Sequence, residues 1–416
     1  MSAPASIAFT PPTALTQSYL DREERYGAHN YHPLPVVLDR GEGVYLWDVD
    51  GKRYYDFLSG YSAVNQGHCH PRIIEALVEQ ASKLTLTSRA FHSNLLGEYE
   101  EFVTKMFGYD KVLPMNTGVE AVETALKLAR RWGYEVKGIE DGKAKIITCE
   151  SNFHGRTLNV VSFSTDNSAK RGFGPFMPGY TTIPYNDLAA LEQALQDKNV
   201  AAFLVEPIQG EAGVVVPDEG YLTQVSELCK KANVLFIADE IQTGLARTGK
   251  MLACDHDGAR PDILILGKAL SGGVLPVSAV LADDEIMLTI QPGEHGSTYG
   301  GNPLACRVAM TALQVLQDEG MAENAAVQGE YLRRELRAIG HPVISLVRGK
   351  GLLNAVVIRH KEADAAWDLC LHLKEAGLLA KPTHGDKIRF APPLTITRAQ
   401  VDDCIAIIRE SLEMIG

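Results

Sequence analysis

The feature that most constrains this chain is a pair of short apolar runs that end in opposite charges. The first reads Val234-Leu-Phe-Ile-Ala-Asp239, and the second reads Asp262-Ile-Leu-Ile-Leu-Gly-Lys268. Each run has the pattern of a strand that is buried on both faces of a parallel sheet. Because open α/β sheets bind their ligands at the carboxyl ends of strands, Asp239 and Lys268 are predicted to meet at one site.

The two charged residues together suggest a cofactor, pyridoxal phosphate (PLP). The amine of Lys268 would hold the cofactor aldehyde as a Schiff base, and the carboxylate of Asp239 would keep the pyridine nitrogen protonated. For either residue alone, a solvated charge at a strand end is the more ordinary explanation. The small residues that follow Lys268, Ala-Leu-Ser-Gly-Gly, favour a ligand because such turns let the backbone approach it closely.

Composition limits the class of protein. With 416 residues, two domains are expected, and 45% hydrophobic with 22% charged residues is ordinary for a globular chain. The formal net charge of −12 argues against binding to nucleic acid or to an anionic membrane surface. The sequence has no apolar stretch near the roughly twenty residues of a membrane span. Its first residues lack the charges of a secretory signal or transit peptide, which favours a cytoplasmic protein over a mitochondrial one.

Cysteine and histidine usage gives no metal or disulfide signature. The seven cysteines are odd in number, scattered, and without any C-x-x-C spacing, so a reducing compartment is expected. The run His68-Cys69-His70-Pro71 places three potential ligands too close together in sequence to converge on one ion. We therefore expect no metal site there, and Pro71 instead suits the first turn of a following helix.

The order of the predicted elements indicates an α/β fold. Strand-like runs at 145–149, 202–206, 234–239 and 262–266 alternate with helical segments, including one over 119–131, so a mostly parallel sheet covered by helices is expected. A hairpin is predicted over 43–57, with its turn at Asp50-Gly51. After about residue 312 the pattern changes to a smaller α+β unit. The predicted divisions are an N-terminal arm and small segment (1–61), a large PLP-binding domain (62–311) and a small C-terminal domain (312–416).

Six further motifs can be compared with known families. They are Tyr26-Gly-Ala-His-Asn-Tyr-His-Pro-Leu-Pro35, Tyr61-Ser-Ala-Val-Asn-Gln-Gly-His-Cys-His-Pro71, Met115-Asn-Thr-Gly-Val-Glu-Ala121, Glu206-Pro-Ile-Gln-Gly-Glu-Ala-Gly213, Gly296-Ser-Thr-Tyr-Gly-Gly-Asn-Pro303 and Ile388-Arg-Phe-Ala-Pro-Pro393. With the Asp239 and Lys268 segments, they resemble the class III PLP-dependent aminotransferases of fold type I. The resemblance covers essentially the whole chain after its N-terminal arm. It implies a large domain with a seven-stranded, mostly parallel sheet.

The resemblance also implies which residues hold the cofactor. They are Gly118, Val119, Phe153, Asp239, Gln242, Lys268 and Thr298. Lys268 and Asp239 would be the catalytic pair, with Lys268 moving a proton once the substrate has displaced it. Gly118 and Val119 precede a helix whose N–H groups would bind the phosphate, although a glycine there could also be a simple turn. Thr298 would reach the phosphate of a partner subunit, so the chain is expected to form a homodimer or a multiple of one.

The substrate contacts implied by the resemblance are Tyr31, Tyr61, Arg156, Glu211 and Arg389. The motifs are most similar to those of members that use ornithine, whose α-amino group Tyr31 would hold. Glu211 would cover Arg389 while ornithine donates its δ-amine, leaving glutamate 5-semialdehyde and pyridoxamine phosphate. For 2-oxoglutarate the pair would open, so that Arg389 binds the α-carboxylate and Arg156 the distal one. Such an enzyme acts in ornithine, arginine and proline metabolism.

Three alternatives remain at this stage. Within the family, the donor could be acetylornithine, 4-aminobutyrate or a semialdehyde, although Tyr31 and Tyr61 argue against these. A catalytically idle PLP-binding regulator is a second possibility, but the sequence shows no helix-turn-helix segment and no basic face. A dinucleotide-binding oxidoreductase would need G-x-G-x-x-G after its first strand, and that spacing does not precede a helix here.

Overall fold

The structure is a computed structural model of the single chain and describes residues 11–383 and 385–415. The helices are α1 (Ala14–Tyr26), α2 (Ser59–Ser62), α3 (Pro71–Ala81), α4 (Asn94–Phe107), α5 (Gly118–Glu135), α6 (Leu158–Ser162), α7 (Asn167–Lys170), α8 (Leu188–Ala194), α9 (Tyr221–Lys231), α10 (Asp284–Met287), α11 (Pro303–Asp318), α12 (Met321–Ile339), α13 (Ala365–Ala376) and α14 (Arg398–Leu412). The strands are β1 (Leu38–Glu42), β2 (Tyr45–Asp48), β3 (Arg53–Asp56), β4 (Lys111–Met115), β5 (Lys145–Cys149), β6 (Tyr180–Ile183), β7 (Val200–Val205), β8 (Leu235–Asp239), β9 (Ile263–Leu266), β10 (Ser278–Ala282), β11 (Ile344–Lys350), β12 (Leu353–Ile358), β13 (Leu378–Leu379), β14 (Lys381–Thr383) and β15 (Lys387–Phe390). Short 3-10 helices span Ala253–His256 and Lys268–Ser271.

The largest sheet has seven strands in the order β4-β10-β9-β8-β7-β5-β6. Strand β10 runs antiparallel to both of its neighbours, and the remaining pairs are parallel. Every residue of β7, β8 and β9 is buried, as expected where helices cover both faces. The expected mostly parallel, seven-stranded α/β sheet is therefore confirmed. Because β8 pairs with β9, their carboxyl ends lie side by side and bring Asp239 near Lys268.

Helix α5 shows how the helices attach to this sheet. Its apolar residues Val122, Leu126 and Ala129 recur at helical spacing and are all buried against the sheet. Burial of a valine or leucine side chain, such as those of Val122 and Leu126, contributes about 1.5–3 kcal/mol. A capping box of Thr117 and Glu120 fixes the first turn. Among the described residues, every helix is too short or too polar to cross a membrane.

Two smaller sheets lie beside the large one. One has the strand order β11-β12-β15-β14, and the other joins β1, β2 and β3 to β13 near the end of the chain. The predicted hairpin is confirmed by the antiparallel pairing of β2 with β3, around a turn in which Gly51 has φ +84°. The domain boundary predicted at residue 312 falls inside α11, which packs on α3 and α4. The division into three parts therefore stays a prediction.

The chain makes an unusual left-handed turn at α2, directly after β3. All four of its residues have positive φ, between 49° and 68°, although only Gly60 is a glycine. Left-handed backbone costs roughly 1–2 kcal/mol for each other residue. Asp56 offsets part of this cost, since its carboxylate accepts the N–H groups of Leu58 and Ser59, each at 2.8 Å. The turn places the half-buried side chain of Tyr61 next to Arg389 on β15, in the sheet β11-β12-β15-β14.

Candidate active site

Lys268 lies at the point where β9 ends. The backbone is extended at Gly267 and then turns sharply, because Lys268 has φ +43° and begins a 3-10 helix. A lysine in this conformation is strained, and such strain is concentrated at functional sites. Burial lowers the pKa of Lys268, against the opposing charge of Glu211. The amine is therefore more available as a nucleophile or base near neutral pH than an exposed lysine would be.

Asp239 ends the neighbouring strand and is held by a buried histidine. His154 Nδ1 lies 2.7 Å from one carboxylate oxygen, and the other oxygen accepts the Ile241 N–H at 3.1 Å. Burial alone would lower the pKa of His154, but the hydrogen bond and charge of Asp239 outweigh it and raise the pKa. The sequence reasoning missed His154, even though it sits in the same motif as Phe153.

A second buried carboxylate, Glu206, follows β7. One of its oxygens accepts the Phe153 N–H at 3.0 Å, and burial raises the pKa of Glu206 to about 7. Sequence reasoning assigned no role to this residue. The signal was present, because Glu206 ends a buried strand in the same way as Asp239 does.

The amino end of α5 forms one wall of the site. The capping box uses the N–H groups of Thr117 and Glu120, which leaves those of Gly118 and Val119 for a ligand. A Cβ on Gly118 would lie 3.1 Å from the Ile241 side chain, so a larger residue would crowd this wall. Free N–H groups and the helix dipole make this end suited to a phosphate.

These residues line a cavity of about 200 Å³ at the carboxyl ends of β8 and β9. Six of the residues predicted to contact the cofactor face it, namely Gly118, Val119, Phe153, Asp239, Gln242 and Lys268. An amine, a carboxylate, an aromatic ring and a helix amino end thus converge on one small space. This combination fits PLP, although the role of each residue stays a prediction.

A wider cavity of about 570 Å³ adjoins the first, and Phe153 lines both. Four charged side chains of both signs also face this space, those of Arg156, Asp166, Glu211 and Lys387. The Arg156 guanidinium carbon lies 5.3 Å from the centre of the Phe153 ring. Arg156 and Glu211 were predicted at a substrate site, whereas Lys387 was missed.

Arg389 and Glu211 form an ion pair at 2.5 Å on the inner side of the wider cavity. Arg389 also donates to Gln242 at 3.2 Å, and the Tyr61 ring centre lies 4.9 Å from the guanidinium carbon. Burial alone would raise the pKa of Glu211, but the charges of Arg389 and Lys268 lower it overall. Buried Nε of Arg389 has no hydrogen-bond partner among the described residues. The Arg389 guanidinium is therefore buried, paired with Glu211 and left with one unused N–H donor, while its predicted role in binding a substrate carboxylate stays a prediction.

Two further predicted residues, Tyr31 and Thr298, are exposed and line neither of the two cavities. Tyr31 is 73% exposed, and its ring centre lies 6.0 Å from the Lys381 amine. Thr298 is exposed on a segment that Ser297 joins to Asn116 through a 2.8 Å hydrogen bond. An exposed Thr298 is available to a neighbouring subunit, but a single chain does not test that expectation.

Comparison with known proteins gives one family. The model of the family "Aminotransferase class-III" matches residues 26–412. A rat mitochondrial ornithine aminotransferase is 66% identical over 402 residues, which cover 97% of this chain and 91% of the rat protein.

Two solved structures are also similar. An ornithine aminotransferase from Toxoplasma gondii, with PLP in partial occupancy at its active site, is 51% identical with a TM-score of 0.95, covering 96% of this chain and 94% of that one. An acetylornithine aminotransferase from Elizabethkingia anophelis is 61% identical with a TM-score of 0.88, covering 96% and 99%. On this similarity and on its cavity of lysine, aspartate and helix amino end, the chain belongs to the class III aminotransferases.

Proposed function

We propose that this chain transfers the δ-amino group of L-ornithine to 2-oxoglutarate, giving glutamate 5-semialdehyde and glutamate. The observation that carries the proposal is the Glu211–Arg389 ion pair inside the substrate cavity. An uncovered arginine would bind the α-carboxylate of any amino acid and so present its α-amine for reaction. With Glu211 in place, ornithine is left to enter with its δ-amine first. The similarity to ornithine aminotransferases of rat and Toxoplasma gondii supports this donor.

The residues of the smaller cavity supply the proton transfers. When bound, PLP provides an electron-accepting ring and an aldehyde carbon that takes up the amino group. Lys268 Nζ takes a proton from the δ-carbon of ornithine and, in the second half-reaction, gives one to C2 of the oxo acid. The lowered pKa of Lys268 suits this exchange near neutrality. Asp239, held by His154, keeps a negative charge where the cofactor needs a protonated nitrogen.

The residues of the wider cavity bind the two substrates in turn. For 2-oxoglutarate, Glu211 moves away and the unpartnered Nε of Arg389 takes part in binding the α-carboxylate. Arg156, which lines the wider cavity, binds the distal carboxylate. For ornithine, Tyr31 holds the α-amino group, and Tyr61 packs near the side chain of the donor.

We further propose a homodimer, or a multiple of it, in which Thr298 completes the phosphate site of the partner subunit. Its exposure on the segment fixed by Ser297 supports this assignment. Thr298→Ala should weaken PLP retention several-fold, because the phosphate loses one hydrogen bond. The cofactor dissociation constant and the sedimentation of the holoenzyme measure these two points. A fully active monomer at assay concentration would contradict the proposal.

A donor panel tests the reaction. Ornithine, acetylornithine and 4-aminobutyrate should each be given with 2-oxoglutarate, and the semialdehyde from ornithine trapped with an aromatic amine. Ornithine should be preferred by at least tenfold in kcat/KM. The second candidate is acetylornithine, which the 61% identity to the Elizabethkingia anophelis enzyme favours. A preference for acetylornithine would replace our proposal with that one.

The place of the enzyme in the cell is also part of the proposal. An ornithine δ-transaminase would act in arginine catabolism and proline biosynthesis, where its semialdehyde product is used. We propose the cytoplasm for this chain, whereas the rat relative is a mitochondrial protein. Fractionation of the source cells with an antibody to the chain would decide between the two compartments.

A further inference from the structure

One face of the small sheet β11-β12-β15-β14 carries a row of basic residues. Lys387 and Arg389 are two positions apart on β15, so their side chains emerge on the same face, whereas Ile388 between them is buried in the core. Lys381 on β14 lies directly opposite Arg389, and Arg348 on β11 stands in the same row across β12. Residues paired in this way share a face of the sheet. This basic row is turned toward the wider cavity, because Lys387 lines it and Arg389 binds Glu211 there.

Within the row, the members differ in how their charges are used. Arg389 is held by Glu211, and Arg348 donates through Nε to the Gly213 carbonyl at 2.8 Å. Lys387 pairs with Asp386, whose side chain is 52% exposed, whereas that of Lys387 is 24% exposed. Its countercharge is thus at the surface, while its own side chain lines the cavity. Water screens the exposed member of such a pair, so the field of Lys387 is only partly cancelled on the cavity side.

We propose that Lys387 is a specificity-determining residue that favours dicarboxylic 2-oxo acids as acceptors over monocarboxylic ones. The inference rests on the proposed function, in which Arg389 and Arg156 hold the two carboxylates of the acceptor. Lys387 lines the cavity together with Arg156, and it lies on the same face of β15 as Arg389, so it adds a positive charge beside both carboxylate-binding arginines. The carboxylates of Glu211 and Asp166 also line the cavity, so without Lys387 its lining would carry more negative than positive charge. The charge of Lys387 attracts a dianionic acceptor and so increases its binding affinity. It does not attract the cationic δ-end or the α-ammonium group of ornithine.

Binding of an unreactive pair of acids tests this selectivity in the holoenzyme. Glutarate has two carboxylates, and pentanoate has the same chain length with one. Lys387→Met keeps the aliphatic stem, which packs beside Gly213, and removes only the charge. We expect the dissociation constant of glutarate, measured by calorimetry, to rise about 3- to 10-fold in this variant and that of pentanoate to change less than twofold. Lys387→Arg should restore glutarate binding.

The reciprocal variant makes the test sharper. Asp386→Asn removes the countercharge, so it should tighten glutarate binding by a few-fold at low ionic strength and less at high salt. Lys105→Met is a matched control, because Lys105 also pairs with a neighbouring carboxylate, that of Glu101, but is 73% exposed on α4. Equal changes for glutarate and pentanoate in Lys387→Met, or no change for either, would overturn the inference.

The same variants separate this inference from the proposed reaction. If the wild type fails to convert ornithine, the donor assignment is wrong whatever glutarate does. If the wild type converts ornithine with 2-oxoglutarate but Lys387→Met keeps the wild-type KM for 2-oxoglutarate, only the role of Lys387 is wrong. The expected result is a 2-oxoglutarate KM raised 3- to 10-fold, with an ornithine KM that does not rise.

Discussion

The cofactor cavity and the wider substrate cavity are built in different ways. The first is formed where strands of one sheet end, with Asp239 and Lys268 delivered by neighbouring, fully buried strands. The second gathers side chains from separate parts of the chain, such as Arg156, Glu211 and Arg389. A site at strand ends is as rigid as its sheet. A site assembled between segments can open and close, which suits an enzyme that must accept two unlike substrates in turn.

Lys268→Ala is the largest expected change and tests the rigid cavity. Multiple turnover should fall by at least 10²–10⁴, the usual contribution of acid–base catalysis alone. Borohydride reduction of the wild-type holoenzyme, followed by peptide mapping, should place the cofactor on Lys268. Lys105→Ala, on the exposed face of α4, should keep full activity. A cofactor label on another lysine would contradict the assignment.

Arg389→Ala tests whether the two substrates of the wider cavity depend differently on Arg389. The 2-oxoglutarate half-reaction should slow about 100-fold, because a buried bidentate partner for the α-carboxylate is lost. The ornithine half-reaction should slow less than tenfold, since Glu211 covers Arg389 at that stage. Single-turnover absorbance spectra follow each half-reaction by itself. Equal losses in both would show that the two substrates use Arg389 alike.

Glu206→Gln tests how much folding stability is lost by burying a carboxylate beside the cofactor cavity. The pKa of Glu206 is raised by burial to about 7 from an ordinary value of 4.5, so the folded protein keeps this proton between pH 4.5 and 7 while the unfolded chain loses it. Folding stability therefore falls as pH rises through that range. Each pH unit in this range changes the free energy of unfolding of the wild type by roughly 1.4 kcal/mol. The gain in free energy of unfolding that Glu206→Gln gives the apoenzyme over the wild type should therefore be about 3 kcal/mol larger at pH 8 than at pH 5.

Urea unfolding at the two pH values measures this difference. Glu192→Gln, at an exposed position of α8, is the control and should show no pH-dependent gain. If Glu206→Gln shows the same stability change at pH 5 and pH 8, the carboxylate does not titrate in this range.

Glu211→Ala should have the smallest effect of the series. It tests whether the ion pair with Glu211 keeps Arg389 from binding the α-carboxylate of an amino donor. With the countercharge gone, Arg389 would capture α-carboxylates, so glutamate should gain as an amino donor relative to ornithine. We expect the ratio of the two kcat/KM values to shift about tenfold toward glutamate. Glu211→Gln, which keeps the size of the side chain, should shift the ratio in the same direction. An unchanged ratio in both variants would mean that Glu211 does not control the choice.

The residues of the cofactor cavity were easier to predict from the sequence than those of the wider substrate cavity. Buried strands that end in a charged residue place that residue at the site, which is why Asp239 and Lys268 could be predicted together; Glu206 has the same pattern and was overlooked. The direction of Tyr61 could not be read in this way, because it depends on a left-handed turn at residues other than glycine. Lys387 was missed although a strand-like segment beginning at Lys387 could be recognised, because the alternation with Arg389 on β15 does not show which cavity that face of the strand lines.

The pairing of β3 with β13 has a consequence for synthesis of the chain. The amino-terminal hairpin finds its last strand partner at Leu378–Leu379, more than 300 residues after β3 ends at Asp56. At a translation rate of 5–20 residues per second, that partner leaves the ribosome roughly 15–60 s later. The seven strands of the large sheet, which end with β10 at Ala282, are all available well before then. The first strands to be made are therefore among the last to be completed.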